Sequence, residues 1–190
     1  MSRNAGRCDA LRRGGRTFPA AVQITAEERL AGVPVEFHGL DTGRSVSVKD
    51  FEFTGIPAAH DTVERDEQGQ CRFVGYMARF GPWTLYHGGD TRWHDALPAL
   101  LAALRPDVVL VPINGHDPAR RVPGNLYGPE APVLAKACGA SLAIPHHFEM
   151  FTFNTATPDT FVSECARLAQ PCRVLRYGER WSSAGLRPRR

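Results

Sequence analysis

The sequence lacks a long apolar run, a pair of closely spaced cysteines and a basic stripe interleaved with aromatic residues. No stretch approaches the roughly 20 apolar residues of a membrane-spanning helix. The five cysteines are scattered without a Cys-x-x-Cys pair, which argues against a disulfide scaffold or a zinc knuckle. The Arg-rich start has no apolar segment of the kind found in a secretory signal. We therefore expect reduced thiols, a cytoplasmic location and no membrane partner.

The net charge of +3 comes from the two ends of the chain. Five arginines lie within the first 16 residues, and Arg187, Arg189 and Arg190 close the sequence. The body between these ends is slightly acidic, so we expect solvated ends and no nucleic-acid partner. The sequence predicts a disordered basic tail over residues 1–18, one folded domain over 19–182 and a basic C-terminal tail over 183–190.

The order of the periodic segments predicts a single α/β domain. The composition, 43% hydrophobic and 23% charged, is typical of a soluble globular protein. Period-two alternation over 45–48 and 51–56 predicts a β-hairpin, and the leucines spaced from Leu97 to Leu104 predict an amphipathic helix. The continuous apolar run over 108–111 predicts a strand buried on both faces, and Cys172–Leu175 is a candidate for the last strand. Hairpins therefore come first, and strands and helices alternate after them.

Polar side chains of the metal-binding type follow three predicted strands. These residues are His60, Asp90 and His147, and His146 stands beside the last of them. Imidazole and carboxylate groups bind Zn, Fe or Mn, and a carboxylate can bridge two cations. Each residue alone has a simpler explanation, because a single histidine is commonly a packed side chain and Asp90 could cap a helix. Three such strand ends in one small domain favour a metal centre.

Four stretches of the sequence occur in an order and spacing typical of one known family. They are IPAAHD at 56–61, YHGGDT at 86–91, RPDVVLVPING at 105–115 and IPHHFEMF at 144–151. Together they resemble the metallo-β-lactamase fold hydrolases, in particular the branch that includes L-ascorbate-6-phosphate lactonase. The resemblance covers about residues 20–180.

The resemblance implies an α/β fold, the metallo-β-lactamase αββα sandwich, with a mixed sheet flanked by helices and a dinuclear metal site at one edge. His60 and His147 would be metal ligands and Asp90 the bridging carboxylate, which also gives Asp90 a catalytic role. His146 falls on a variable position of the family's Pro-x-His pattern, so His147 is the preferred ligand.

The resemblance also implies a reaction and two further site residues. Asn114 would act in catalysis and Asn125 in substrate binding, because their loop reaches the substrate side of the site in similar proteins. The implied reaction is hydrolysis of a small-molecule lactone, ester or phosphodiester by metal-activated water.

One expected motif is missing from the chain. The family's His-x-His-x-Asp-His motif should lie upstream, but the first histidine of this sequence is His38. We therefore expect the C-terminal part of a family member, a partial sandwich that holds at most one Zn or Mn ion and is weakly active or inactive.

Two other functions are compatible with the sequence. The chain could be a non-catalytic remnant that binds a partner, or forms a homo-oligomer, through an apolar sheet face left uncovered. A nuclease of the same superfamily is disfavoured by the acidic body and the missing basic stripe.

Overall fold

A six-stranded mixed sheet forms the centre of the protein. The computed structural model describes residues 18–23, 35–120, 124–152 and 154–189. The strands cross the sheet in chain order: β3 (Ser45–Val48), β4 (Phe51–Pro57), β5 (Val74–Phe80), β6 (Trp83–His87), β7 (Val108–Pro112) and β8 (Leu142–His146). Pairing is antiparallel from β3 to β6 and parallel from β6 to β8, which confirms the predicted mixed sheet.

A second, smaller sheet precedes the main one. Its two strands, β1 (Phe18–Gln23) and β2 (Val35–Leu40), pair in parallel. Residues 1–17 of the predicted N-terminal tail lie outside the described residues.

The predicted hairpin forms with a two-residue turn. Val48 is opposite Phe51 and Ser45 is opposite Thr54, so Lys49 and Asp50 make the connection. Lys49 has a φ of 54°, the left-handed conformation that tight hairpin turns require. Side chains alternate between the two faces of each strand, and this register therefore decides which residues of β4 face the helices.

The three described helices bury their apolar residues in one shared core. They are α1 (Leu97–Leu104), α2 (Glu130–Ala137) and α3 (Asp159–Arg167). Leu101, Leu134 and Phe161 pack there with Tyr86 and Val109 of the sheet. All three helices therefore cover the same face of the sheet, and short 3-10 turns occur at Pro118–Arg120 and Ser183–Gly185.

The opposite face carries a smaller core that the C-terminal segment covers. Val108, Leu142 and Ile144 point away from the helices and pack with Leu175 and Leu186. The prediction of a strand at Cys172–Leu175 is wrong. This segment forms an isolated bridge between Ala143 and Cys172 instead of a strand. Burial of both faces at β7 nevertheless agrees with the continuous apolar run of that strand.

The C-terminal end contacts the body of the protein through Arg189. Asp107 is 1% exposed, and its carboxylate accepts hydrogen bonds from the backbone N–H groups of Thr84 and Arg189. The Arg189 guanidinium donates to the carbonyl oxygens of Cys138 and Gly139. A buried carboxylate needs hydrogen-bond donors, and the backbone of Arg189 supplies one although Arg189 itself is exposed.

We predict that Asp107→Asn lowers the free energy of unfolding by about 1–3 kcal/mol. The amide keeps only one acceptor oxygen, so one of the two backbone N–H groups loses its partner inside the protein. Urea unfolding followed by circular dichroism measures the change. The exposed turn residue provides the control Asp50→Asn, which should stay within about 0.5 kcal/mol of the parent. Equal effects of the two substitutions would contradict this role of Asp107.

Candidate metal centre

The three candidate ligands lie at one edge of the sheet because their strands run in the same direction. Strand β4 is antiparallel to β5, which is antiparallel to β6, so β4 and β6 have the same direction. Strand β8 shares it through the two parallel pairings with β7. The ends of β4, β6 and β8 therefore meet at one edge, and His60, Asp90 and His147 follow these ends by one to three residues.

The Asp90 carboxylate lies between the two imidazoles, with one oxygen towards each ring. Asp90 Oδ2 is 3.8 Å from His60 Nε2, and Asp90 Oδ1 is 3.6 Å from His147 Nε2. The side chains of His60, Asp90 and His147 are 28%, 47% and 17% exposed, so solvent and small molecules reach the carboxylate. The structure thus brings together the three residues that the sequence predicted as metal ligands.

The three side chains are of the types that bind divalent cations, but they are too few for a complete metal site. Two donors that share a tetrahedral zinc ion at ordinary bond lengths lie about 3.4 Å apart, close to both observed separations. Among the described residues, however, no group of three His, Cys, Asp or Glu side chains has the spacing of a complete metal site. Each oxygen of Asp90 pairs with one imidazole, as expected for a bridging carboxylate, and any cation here needs further ligands.

Thr91 connects the loops that carry His60 and Asp90 through hydrogen bonds. Its side chain is fully buried, and its Oγ1 accepts the Ala59 N–H at 3.0 Å and donates to the Arg92 carbonyl at 3.0 Å. The Arg92 N–H donates in return to the Ala59 carbonyl at 2.7 Å. Sequence reasoning missed this role, and the only signal was a hydroxyl residue directly after the candidate ligand.

A second link beside the site runs through the Arg92 side chain. Its guanidinium donates to Asp61 Oδ1 at 2.7 Å and lies 3.3 Å from His116 Nε2. The ring of Tyr127 also contacts His116, with ring centroids 4.9 Å apart. A Cβ at Gly124 would overlap the Arg92 side chain, so a larger residue there would displace this guanidinium. His116 is thus a packed ring.

The chain is locally strained where it leaves β8. His147 and Glu149 have φ values of 58° and 53°, a left-handed conformation that is uncommon outside glycine. The ring of Phe151 lies 6.4 Å from that of His147. His147 Nδ1 is buried and has no partner in the described part of the chain. A histidine that binds a metal through one ring nitrogen usually donates the N–H of the other ring nitrogen to an acceptor. His147 Nδ1 has no such acceptor among the described residues.

His146 packs against His87 and does not face Asp90. The two rings are stacked, with centroids 4.7 Å apart and an interplanar angle of 26°. Burial lowers the pKa of His146 to about 3, and the neighbouring rings of His87 and His147 add to the effect. Burial also lowers the pKa of His87, although the charge of Asp90 opposes the shift. Both rings are therefore neutral at pH 7.

The two predicted asparagines lie near the site without joining it. Asn114 Nδ2 donates to Asn154 Oδ1 at 2.6 Å, and Asn125 is 2% exposed, with its N–H bonded to the Gly115 carbonyl. The Oδ1 atoms of Asn114 and Asn125 are buried and have no partner among the described residues. Within the same residues, no hydrogen bond connects either asparagine with the three candidate ligands. Each side-chain oxygen can therefore accept a hydrogen bond.

The chain belongs to the family described as the beta-lactamase superfamily domain, whose sequence pattern matches residues 8–148. The chain is 28% identical over 176 residues to a UPF0173 metal-dependent hydrolase of Chloroflexus aurantiacus, covering 88% of this chain and 68% of that protein. A UPF0173 metal-dependent hydrolase of Methanoculleus marisnigri is 32% identical over 137 residues, covering 70% and 56%.

A solved structure supports the fold. The novel metallo hydrolase Igni18 of Ignicoccus hospitalis matches with a TM-score of 0.69 and 21% identity, covering 93% of this chain and 72% of that one. The predicted metallo-β-lactamase fold is therefore confirmed. The chain spans 56% and 68% of the two relatives' lengths. None of the helices in the described ranges has the length and apolar character to cross a membrane.

We predict that Thr91→Val destabilises the protein more than Thr91→Ser. Valine keeps the shape but leaves the Ala59 N–H without its acceptor, at a cost of about 1–3 kcal/mol. Serine keeps the hydroxyl and loses one methyl group, which costs about 1 kcal/mol. Thermal and urea unfolding compare the two variants, and amide exchange reports on Ala59. If Thr91→Val were as stable as Thr91→Ser, the hydroxyl would have no role in fastening the loops.

Proposed function

We propose that this chain is a metal-dependent hydrolase whose cation is held by His60, Asp90 and His147. The observation that carries the proposal is the Asp90 carboxylate between two imidazoles, with one oxygen towards each. The relatives' description as metal-dependent hydrolases supports the same conclusion. The donor types suit Zn or Mn.

The residues of the site have separate tasks in this proposal. A divalent cation, when bound, supplies Lewis acidity that lowers the pKa of water and polarises a carbonyl or phosphoryl group. Asp90 provides the negative charge between the two histidines, which bind through neutral ring nitrogens. The unpartnered Oδ1 atoms of Asn114 and Asn125 accept hydrogen bonds from N–H or O–H groups of the reactants. Asn114 thereby assists catalysis and Asn125 binds substrate.

The proposed substrates are small lactones, esters or phosphodiesters, and the proposed activity of this chain is low. Among the described residues, the candidate donors are His60, Asp90 and His147, fewer than a complete metal site needs, so we propose at most one weakly bound cation. The sequence contains no His-x-His-x-Asp-His motif, and this supports the proposed low activity. The scattered cysteines support a cytoplasmic location.

We predict that Asp90→Asn weakens zinc binding at least tenfold, because the amide removes the charge shared by the two histidines. Competition with a chromophoric chelator measures the affinity of protein first stripped with EDTA. The matched control is Asp95→Asn, since Asp95 is an exposed carboxylate. Two tightly bound cations per chain, or equal affinities of the two variants, would contradict the proposed site.

Hydrolysis is tested on the same two variants. Release of p-nitrophenol from p-nitrophenyl acetate and bis(p-nitrophenyl) phosphate, and opening of a simple lactone, should be slow and sensitive to EDTA. Asp90→Asn should abolish this activity and Asp95→Asn should retain it. Hydrolysis that persists after chelation or in Asp90→Asn would refute a metal-dependent mechanism.

One observation favours the alternative of self-association. On β4, Phe51 is 42% exposed and its ring lies 5.9 Å from Phe53 and 5.1 Å from Phe80. Exposed aromatic clusters are common at protein–protein contacts. Sedimentation velocity distinguishes the two functions, because a monomer with a cooperative melt at all concentrations would count against a homo-oligomer.

A further inference from the structure

His87 contacts the turn that carries Asp90. It is the last residue of β6, and its Nδ1 accepts the backbone N–H of Gly89 at 3.0 Å. Gly89 has a φ of +61°, so the chain reverses sharply just before Asp90. The hydrogen bond therefore fixes the direction in which the chain enters Asp90.

The same ring also contacts the turn that carries His147. His87 stacks on His146, the last residue of β8 and the neighbour of His147. In the sheet, His87 is opposite Leu110 and His146 is opposite Pro112, so the two rings meet across β7. A ring shift at His87 would therefore move the chain at both strand ends.

The protonation state of His87 agrees with this arrangement. An Nδ1 atom that accepts an N–H must be unprotonated, and burial lowers the pKa of the His87 ring. The stacked partner His146 is also neutral, because burial lowers its pKa to about 3. Two neutral rings stack without the repulsion that two imidazolium ions would have.

We propose that His87 is a positioning residue that sets the separation of Asp90 and His147 by holding both of their turns. It holds one turn by the hydrogen bond from Gly89 and the other by stacking on His146. The inference rests on the proposed function, in which Asp90 and His147 bind a cation. Such a residue contributes to metal affinity without touching the metal, as outer-shell partners do in other metal sites.

Three substitutions separate the two contacts. His87→Asn keeps an acceptor near the position of Nδ1 but removes the ring, His87→Phe keeps the ring but removes the acceptor, and His87→Ala removes both. We expect His87→Ala to weaken zinc binding about tenfold or more, within the 10–100-fold range of outer-shell substitutions, and each conservative variant to restore part of the affinity. Chelator competition measures the affinity, and thermal melts confirm folding.

Amide exchange gives a readout that does not need metal. In the metal-free protein, the Gly89 amide should exchange faster in His87→Phe and His87→Ala than in His87→Asn and the parent. Leu104→Ala is the control, because Leu104 is also half-buried but packs on the core at the end of α1. If Leu104→Ala weakened zinc binding as much as His87→Ala, the loss would reflect general destabilisation and the inference would fail.

The outcomes separate this inference from the proposed function. Unchanged zinc affinity in a folded His87→Ala variant would overturn the positioning role and leave the proposed metal site standing. A parent protein that binds no zinc would refute the proposed function. In that case two measurements on the metal-free protein still test the role of His87: the exchange rate of the Gly89 amide and the NMR chemical shifts of the His147 ring. Unchanged values in His87→Ala would overturn the positioning role, and changed values would support it. If His87→Ala did not fold, His87→Asn and His87→Phe would provide the same comparison.

Discussion

The placement of the Asp90 carboxylate between two imidazoles depends on the common direction of three strands. Because β4, β6 and β8 run the same way, the residues that follow them meet at one edge of the sheet. The 3.6 and 3.8 Å separations then place one imidazole opposite each carboxylate oxygen. Supporting contacts act on the segments around this arrangement. Thr91 connects the loops that carry His60 and Asp90, and His87 contacts the segments next to Asp90 and His147.

Local sequence patterns predicted much of the sheet and the approximate position of the site. Period-two alternation over 45–56 and the apolar run over 108–111 have direct physical causes, since each side chain faces a defined surface of a strand. His60, Asp90 and His147 were found because polar residues directly after buried strands are conspicuous. The preference for His147 over His146 came from the family resemblance, and in the structure His147 faces Asp90 and His146 stacks on His87.

The supporting contacts could not be predicted because they join residues far apart in the chain. Thr91 and Ala59 are 32 residues apart, Arg92 and Asp61 are 31 apart, and Arg189 and Asp107 are 82 apart. A periodic pattern reports only on the face that a residue presents. It does not identify the backbone group that a hydroxyl or carboxylate reaches in the folded chain.

The two faces of the sheet differ in how they are covered, and this difference bears on the choice between enzyme and remnant. The helices cover one face, and the segment around Leu175 and Leu186 covers part of the other near β7 and β8. Phe51 at the far end of that face stays 42% exposed. The proposed metal site lies at the strand ends, so the exposed part of this face is compatible with the enzyme as well as with the remnant.

The central claim is that Asp90 shares a cation with a histidine, and anomalous diffraction from crystals soaked in zinc tests it most directly. The account predicts one anomalous peak at bonding distance from a carboxylate oxygen of Asp90 and from Nε2 of His60 or His147. Zinc bound elsewhere on the protein, with no peak at Asp90, would contradict the account.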